Sequence, residues 1–242
     1  MSLSFDKSNW RQVSFGDVVK KVSNKINPFE YHAEIVIEGG HINKRDYHIR
    51  DYANKNELGY LGPAFHMGFK KNQILYVSRN PHLMKVGYPD FDGICANTTF
   101  ILETKSEDIL RNDLIPFVMH SDTFIEQSVG NVRGGVNPYV NWGDLASIKF
   151  LLPPKEKQAD IAKLLWAMDA VIEKGIRVLE KLNYFKKVKF KNIIDIAEGE
   201  MQPLSKFLKI KQTKSKSPHK NLKYIGLEHI IPGEIKCSEY SE

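Results

Sequence analysis

The sequence predicts an α+β protein, a β-rich mixed domain followed by a long coiled-coil helix, and three observations carry that expectation. Short apolar runs separated by turn residues fill the chain before residue 105, which is how strands of a β-rich domain read. Apolar residues then recur at three- and four-residue steps over 107–129, the period of a helix with one buried face. From Leu151 a Leu-Leu-Pro-Pro string leads into Lys155-Glu156-Lys157-Gln158 and about forty residues of helical pattern.

The elements follow in order. Trp10, Val13, Phe15, Val18 and Val19 form an amphipathic opening, read as a strand and then a short helix beginning near Ser14. Glu34-Ile35-Val36-Ile37 reads as a strand, and the polar stretch 43–56 as a long connection. Gly68-Phe69-Lys70-Lys71-Asn72 has the composition of a turn before a strand at Gln73–Val77. A further strand falls at Thr98–Leu102. The helical region 107–129 carries Pro116 inside it, where a break is expected. A Gly-rich loop spans 130–139, and Leu145–Leu152 returns a strand.

In the long helix Ile161, Leu165, Met168, Ile172, Leu179 and Leu182 fall at spacings of four, three, four, seven and three. This is the beat of a coiled-coil seam. Leu164, Val171, Ile176, Val178 and Phe185 widen the stripe, enough for one side to meet a partner helix and a flank to meet the globular domain. Pro153 and Pro154 mark the start. Gly175 stands where the seam expects a large residue, a choice that costs about 1 kcal/mol in a helix interior and permits close approach.

Composition bounds the function. The chain has 242 residues, room for one ordinary domain and an appendage, and its 42% hydrophobic content suffices for a sizeable core. A net charge of +6 and a pI near 9.1 favour a polyanionic partner. Cys95 and Cys237 lie far apart with no ligand spacing, which argues against a disulfide framework or zinc site. No basic-then-apolar leader opens the chain and no run approaches the roughly eighteen apolar residues of a membrane span, so a cytoplasmic protein is expected.

The run Leu151-Leu152-Pro153-Pro154-Lys155-Glu156-Lys157-Gln158-Ala159-Asp160-Ile161-Ala162, then Leu164-Leu165 and Met168-Asp169-Ala170-Val171-Ile172, closely resembles the start of the spacer helix in DNA specificity (S) subunits of type I restriction-modification systems. The order of elements before it is similar to a target recognition domain of that family. The resemblance implies a recognition domain over residues 1–152, a long spacer helix over 153–198 and the beginning of a second recognition-domain-like segment over 199–242. It implies double-stranded DNA as ligand, self-association through the spacer helix, and docking of modification (methyltransferase) subunits, with a restriction subunit completing the complex. Catalysis would lie in those partners, so no cofactor or metal is expected in this chain. A weak internal repeat agrees: Leu204-Ser205-Lys206-Phe207-Leu208 lies 189 residues after Phe15-Gly16-Asp17-Val18-Val19, and Leu227-Glu228 lies 190 after Ile37-Glu38. The family's full-length subunit has two recognition domains, so the expectation is a half-subunit that pairs with another copy, or a shortened form. The basic tract 209–223 reads as a solvated loop.

DNA reading needs cations for phosphates and forked donors or amides for base edges. Arg79, Asn80 and His82, with Lys85 behind them, form one candidate loop, and Arg133 and Asn137 a second. Lys44 and Arg45, with His41 and Arg50, form a third. Glycines at 134 and 135 would let backbone approach a duplex. Two other classes are weighed. Asp90 with Glu103-Thr104-Lys105 fits a loose Mg²⁺-nuclease pattern of two carboxylates and a lysine, and a coiled-coil adaptor that binds only protein would need no DNA loops. Asn137-Pro138-Tyr139 is similar to the Asn-Pro-Pro-Tyr loop of amino-methyltransferases, but one proline is missing and no Gly-rich loop follows an early strand.

Overall fold

The structure, a computed structural model, describes residues 6–135, 137–196, 202–209, 211 and 225. Its first strand, β1 (Arg11–Ser14), runs straight into a one-turn helix α1 (Phe15–Val18) and out again as β2 (Val19–Val22). The strand-then-helix opening expected from the sequence is therefore present. The Asp17 carboxylate accepts the Ser14 N–H at 3.3 Å and so holds the start of α1.

Three sheets follow from the pairing of the strands. β1 pairs antiparallel with β10 (Lys149–Leu152), which joins the chain's opening to the strand that feeds the long helix. The second sheet is antiparallel, in the order β2, β9 (Thr99–Thr104), β6 (Ile74–Val77) and β7 (Val86–Gly87). The third has the order β4 (Ala53–Asn54), β3 (Ile35–Ile37), β8 (Gly93–Cys95) and β5 (Met67–Phe69), with β3 and β8 parallel.

The second sheet is buried on both faces. Ile74, Tyr76, Phe100 and Leu102 point into a core shared with Phe15, Leu110, Ile115, Phe124 and Phe150. Their alternates Leu75, Val77 and Ile101 point into a second core with Ile37, Ile42, Met67, Phe69 and Cys95. Period-two alternation of side chains makes this possible, and continuous burial explains why these strands read as unbroken apolar runs. Burial also pushes the Cys95 thiol up to about 12, so it acts as a small apolar side chain.

Several sequence expectations are corrected here. The segment 68–72 is not all turn, because Gly68 and Phe69 belong to buried β5 and only Lys70–Asn72 turns, with Asn72 at φ 64°. The break in the helical region is not at Pro116, which sits in the first turn of α2 (Ile115–Met119), where its missing N–H costs nothing. It falls instead at His120 and Ser121, whose hydroxyl caps α3 (Asp122–Gly130). Leu145 is not in a strand but in α4 (Trp142–Ala146), and β10 begins only at Lys149. The short strands β4, β7 and β8 were too brief to carry a pattern.

The long helix α5 spans Lys155–Ile196. Its start is fixed by Gln158, which is fully buried. Gln158 accepts the Arg111 N–H at 2.9 Å and donates to the carbonyls of Ile109 at 2.9 Å and Pro153 at 3.0 Å. Ala162, Ile161, Leu165 and Trp166 pack on the first core, and the Trp166 indole donates to the Asp113 carbonyl at 3.0 Å. The domain thus takes Ile161 and Leu165, which the sequence had placed in the coiled-coil seam. Of that seam Met168, Ile172, Leu179 and Leu182 stay in solvent, and beside them the exposed Leu164, Met168, Val171 and Val178 repeat at 4-3-7, with Gly175 dividing the last interval into 4 and 3. Val171, Ile172 and Leu179 are 68%, 60% and 61% exposed. A Cβ added at Gly175 would meet nothing within 4 Å.

The chain divides into two units, Met1–Glu180 and Lys181–Glu242. In the second, a 3-10 turn at Leu204–Lys206 falls where the sequence repeat aligns with α1, whereas Leu227 and most of the basic tract lie outside the described residues. No helix among the described residues is long and apolar enough to cross a membrane.

Replacing Gln158 with leucine takes the partner from one N–H and two carbonyls, the Pro153 carbonyl among them buried and the other two part-buried. The expected loss is about 3 kcal/mol, or roughly 6–12 °C in Tm for a chain of this size. A Tm unchanged in calorimetry would remove Gln158 from this role.

Candidate nucleic-acid interface

The sequence offered three loops as candidates, and the structure laces them together through main-chain hydrogen bonds. The first leaves the end of β6. Ser78 is buried, and both its N–H and its hydroxyl donate to the Thr98 carbonyl, at 3.0 and 2.6 Å. Asn80 then takes a left-handed φ of 52°, a conformation asparagine tolerates better than most residues. A 3-10 turn at Pro81–Leu83 follows, closed by Met84 at φ 49°. This tight reversal lifts Arg79 and His82 into solvent.

The second loop closes on itself and on the first. Arg133 and Tyr139 exchange two backbone hydrogen bonds, at 2.8 and 2.9 Å, around Gly134, whose φ of 82° suits only glycine. Tyr139 also bridges to Arg79. The Asn80 N–H donates to the Pro138 carbonyl at 2.7 Å, and the Val140 N–H to the Ser78 carbonyl at 3.0 Å. Arg79, Asn80 and Asn137 are thereby gathered about one half-exposed tyrosine. The third loop joins through the Arg45 N–H, which donates to the Met84 carbonyl at 3.2 Å, with Lys44 exposed beside it.

Side-chain chemistry separates these residues. Among the described residues, no hydrogen bond or ion pair engages the side chains of Lys44, Arg45, Arg79, Asn80, His82 or Asn137, so their donors face solvent or a ligand. Arg133 is held by the Asp144 carboxylate in a two-pronged contact at 3.0 and 2.9 Å. That contact keeps the Asp144 carboxyl below its usual range; Asp144 also accepts the Asn141 N–H ahead of α4. Arg133 therefore shapes the loop. Lys85 points inward and donates to the Gly39 carbonyl at 2.5 Å. His41 accepts the Glu38 N–H, and Arg50 is committed to Asp46 and Glu173.

In the nuclease pattern, Glu103 is taken up by other side chains. Glu103 is bonded to Gln73 at 2.7 Å and Lys20 at 3.0 Å. Burial opposes its charge, but those two partners hold its pKa below the ordinary value. No group of three or more His, Cys, Asp or Glu side chains that could hold a metal ion occurs among the described residues.

Sequence reasoning missed His120 and Tyr47. His120 donates from Nε2 to the Met84 carbonyl at 3.2 Å, the same oxygen that receives Arg45, and stacks on Tyr47 at 4.4 Å. Neither residue lies in a motif. Only their shared burial beside the 3-10 turn gives them away.

The model of the type I restriction modification DNA specificity domain matches residues 7–184. The chain belongs to this family. Over 213 residues this specificity-domain chain is 22% identical to the HindI specificity subunit of Haemophilus influenzae, and over 172 residues 26% identical to the EcoDI specificity subunit of Escherichia coli. These alignments cover 85% and 70% of the chain but 46% and 37% of the two subunits, so the chain spans less than half the length of the curated relatives it matches. In fold it is similar to the HsdS subunit of Thermoanaerobacter tengcongensis, with a TM-score of 0.56, 15% identity, and coverage of 81% of this chain and 52% of that one. A chain from work on complex assembly and conformational transition of the type I R-M system gives a TM-score of 0.57 at 17% identity, with the same coverage. The α+β recognition domain followed by a spacer helix is accordingly the specificity-subunit fold.

The buried imidazole makes this specificity-domain chain sensitive to acid. Burial lowers the His120 pKa from 6.5 to about 4. Between those values the unfolded chain binds a proton that the folded one refuses, so stability is full above pH 6.5 and falls as pH drops toward 4. His120→Phe keeps the ring and should flatten the fall of Tm across this window by an amount equivalent to about 3 kcal/mol. Parallel Tm profiles for the two proteins would contradict it.

Proposed function

We propose that the chain recognises one half of a bipartite double-stranded DNA target as part of a type I specificity subunit in the cytoplasm. The recognition domain is assigned to residues 1–152, the spacer helix to 153–198, and residues 199–242 to the beginning of a second segment of the recognition-domain kind. The exposed apolar stripe of α5 pairs with a second spacer helix in a coiled coil, from another copy of this chain or another half of a longer protein. The spacer also docks modification (methyltransferase) subunits, and a restriction subunit completes the complex. The chain itself is non-catalytic: it aims methylation and cleavage carried out by those partners.

The observation that supports this reading is the convergence of three loops on the Pro81–Leu83 turn and Tyr139, with Arg79, Asn80, His82 and Asn137 presenting unengaged side chains there. Arg79 supplies the fork that suits guanine, Asn80 and Asn137 supply amides that suit adenine, and Lys44 and Arg45 supply phosphate charge. Arg133 and Lys85 belong to the site as loop-shaping groups, and a bipartite target follows from two such domains held at the ends of a spacer.

Binding to duplex DNA, measured by anisotropy across salt concentrations, should weaken log-linearly as salt rises. Arg79→Ala should cost about 1–3 kcal/mol and relax selectivity at one base pair, whereas Lys44→Ala should weaken all sequences alike and reduce the salt slope by about 1. DNA binding that ignores salt and both substitutions would sink the proposal.

A further inference from the structure

Residues 45–50 touch both the candidate DNA-reading turn and the spacer helix, and they do so with alternating groups. The Arg45 amide holds the Met84 carbonyl. The Tyr47 ring lies against His120 at 4.4 Å and Trp166 at 6.0 Å. His48 Nε2 meets the Asp169 carboxylate at 2.8 Å and stands 3.9 Å from Glu173. Arg50 spans the carboxylates of Asp46 and Glu173. Asp169 and Glu173 are one helical turn apart on the side of α5 that faces the domain, and their side chains are only 14% and 13% exposed.

We propose that this His48–Asp169 and Arg50–Glu173 pair of contacts is a positioning device: it fixes the angle between the spacer helix and the DNA-reading turn, and thereby the gap between half-sites that the protein accepts. The inference rests on the proposed DNA-recognition reading. A rod held at one place pivots, and a rod held at two places does not. The first hold is the buried amide of Gln158. Glu173 lies fifteen residues further on, so the two holds are about 22 Å apart along the helix. Without the Arg50–Glu173 contact the last such hold is Asp169, eleven residues from Gln158, and the baseline shrinks to about 16 Å; without both it ends at Trp166, at about 12 Å, and the angular slack nearly doubles. Contacts in the apolar core resist separation but are not directional. Charge-assisted hydrogen bonds to fixed carboxylates are directional. Because one base pair of added gap displaces a half-site by about 3.4 Å and turns it by about 35°, a stiff angle selects one gap and a loose angle admits its neighbours.

The test uses the full chain, alone and with a co-expressed modification subunit, to select from a library of random-sequence duplex DNA, which is then sequenced. The wild type should enrich two half-sites at a single gap. Glu173→Gln, which keeps the shape of the side chain, and Arg50→Ala, which removes the same contact from the domain side, should enrich the same half-sites. In both variants gaps one base pair longer and shorter should rise about tenfold relative to the preferred gap, equivalent to roughly 1.4 kcal/mol of lost restraint. A contact that served stability alone would lower recovery and Tm without changing the gap distribution, and that outcome, in either variant that folds, overturns the inference while leaving the DNA reading intact. A wild type that enriches no bipartite motif overturns the DNA reading and the inference with it.

Discussion

A single buried amide organises this protein. Gln158 sits where the chain stops being a domain and becomes a helix, and its fully buried side chain satisfies the part-buried Arg111 N–H and Ile109 carbonyl and the buried Pro153 carbonyl. The residues before it, Pro153 and Pro154, cannot donate hydrogen bonds of their own, and the groups it reaches at Ile109 and Arg111 belong to the connection after β9. The amide therefore joins β10, the 109–111 segment and the first turn of α5. Burial of a polar group without partners is costly, so this arrangement tolerates few alternatives. On the proposed reading, in which the loops are presented to DNA in a set orientation relative to a second site, the domain needs that kind of joint.

The division of labour among the basic residues follows from the same logic. A net charge of +6 gives the protein many cations, but the structure spends several on itself: Arg133 on Asp144, Lys85 on the Gly39 carbonyl, Arg50 on two carboxylates and Lys20 on Glu103. The cations left without such partners include Lys44, Arg45 and Arg79, and all three stand beside the Pro81–Leu83 turn. Backbone strain is concentrated there as well, since Arg45, Asn80 and Met84 all hold positive φ. Such strain persists only where surrounding contacts enforce it, and it is found most often at working sites.

Much of this was legible in the sequence. The strand β6 and the core of β9 are long apolar runs, and α5 declares itself by length, by its proline-marked start and by its period. The family resemblance rested on the same stretch. What the sequence obscured has physical reasons. β5 hid in a glycine and lysine context because Gly68 is chosen for the closeness of Tyr31 and Asn24, not for a turn. Pro116 looked like a breaker, yet position rather than identity decides whether proline breaks a helix. The expected seam of Ile161, Leu165, Met168, Ile172, Leu179 and Leu182 began two residues too early, at Ile161 and Leu165, because periodicity cannot tell where a stripe stops meeting the domain. At the candidate interface the loops were found and their convergence was not, since Arg79 and Tyr139 are sixty residues apart and only strand order brings them together. Arg133 and Lys85 read as free cations because their partners, a helix-start aspartate and a main-chain carbonyl, leave no mark at fixed spacing.

The central claim is that DNA is met by the loops gathered at Tyr139 and the Pro81–Leu83 turn. Amide hydrogen exchange of the full chain, with and without a duplex recovered by selection, addresses it most directly. Protection on DNA binding at residues 78–85 and 131–140, with residues 101–104 on β9 unchanged, is the result the account predicts. Protection confined to the loops that expose Phe29 ahead of β3 and Tyr60 ahead of β5, with the Tyr139 loops exchanging as before, would contradict it.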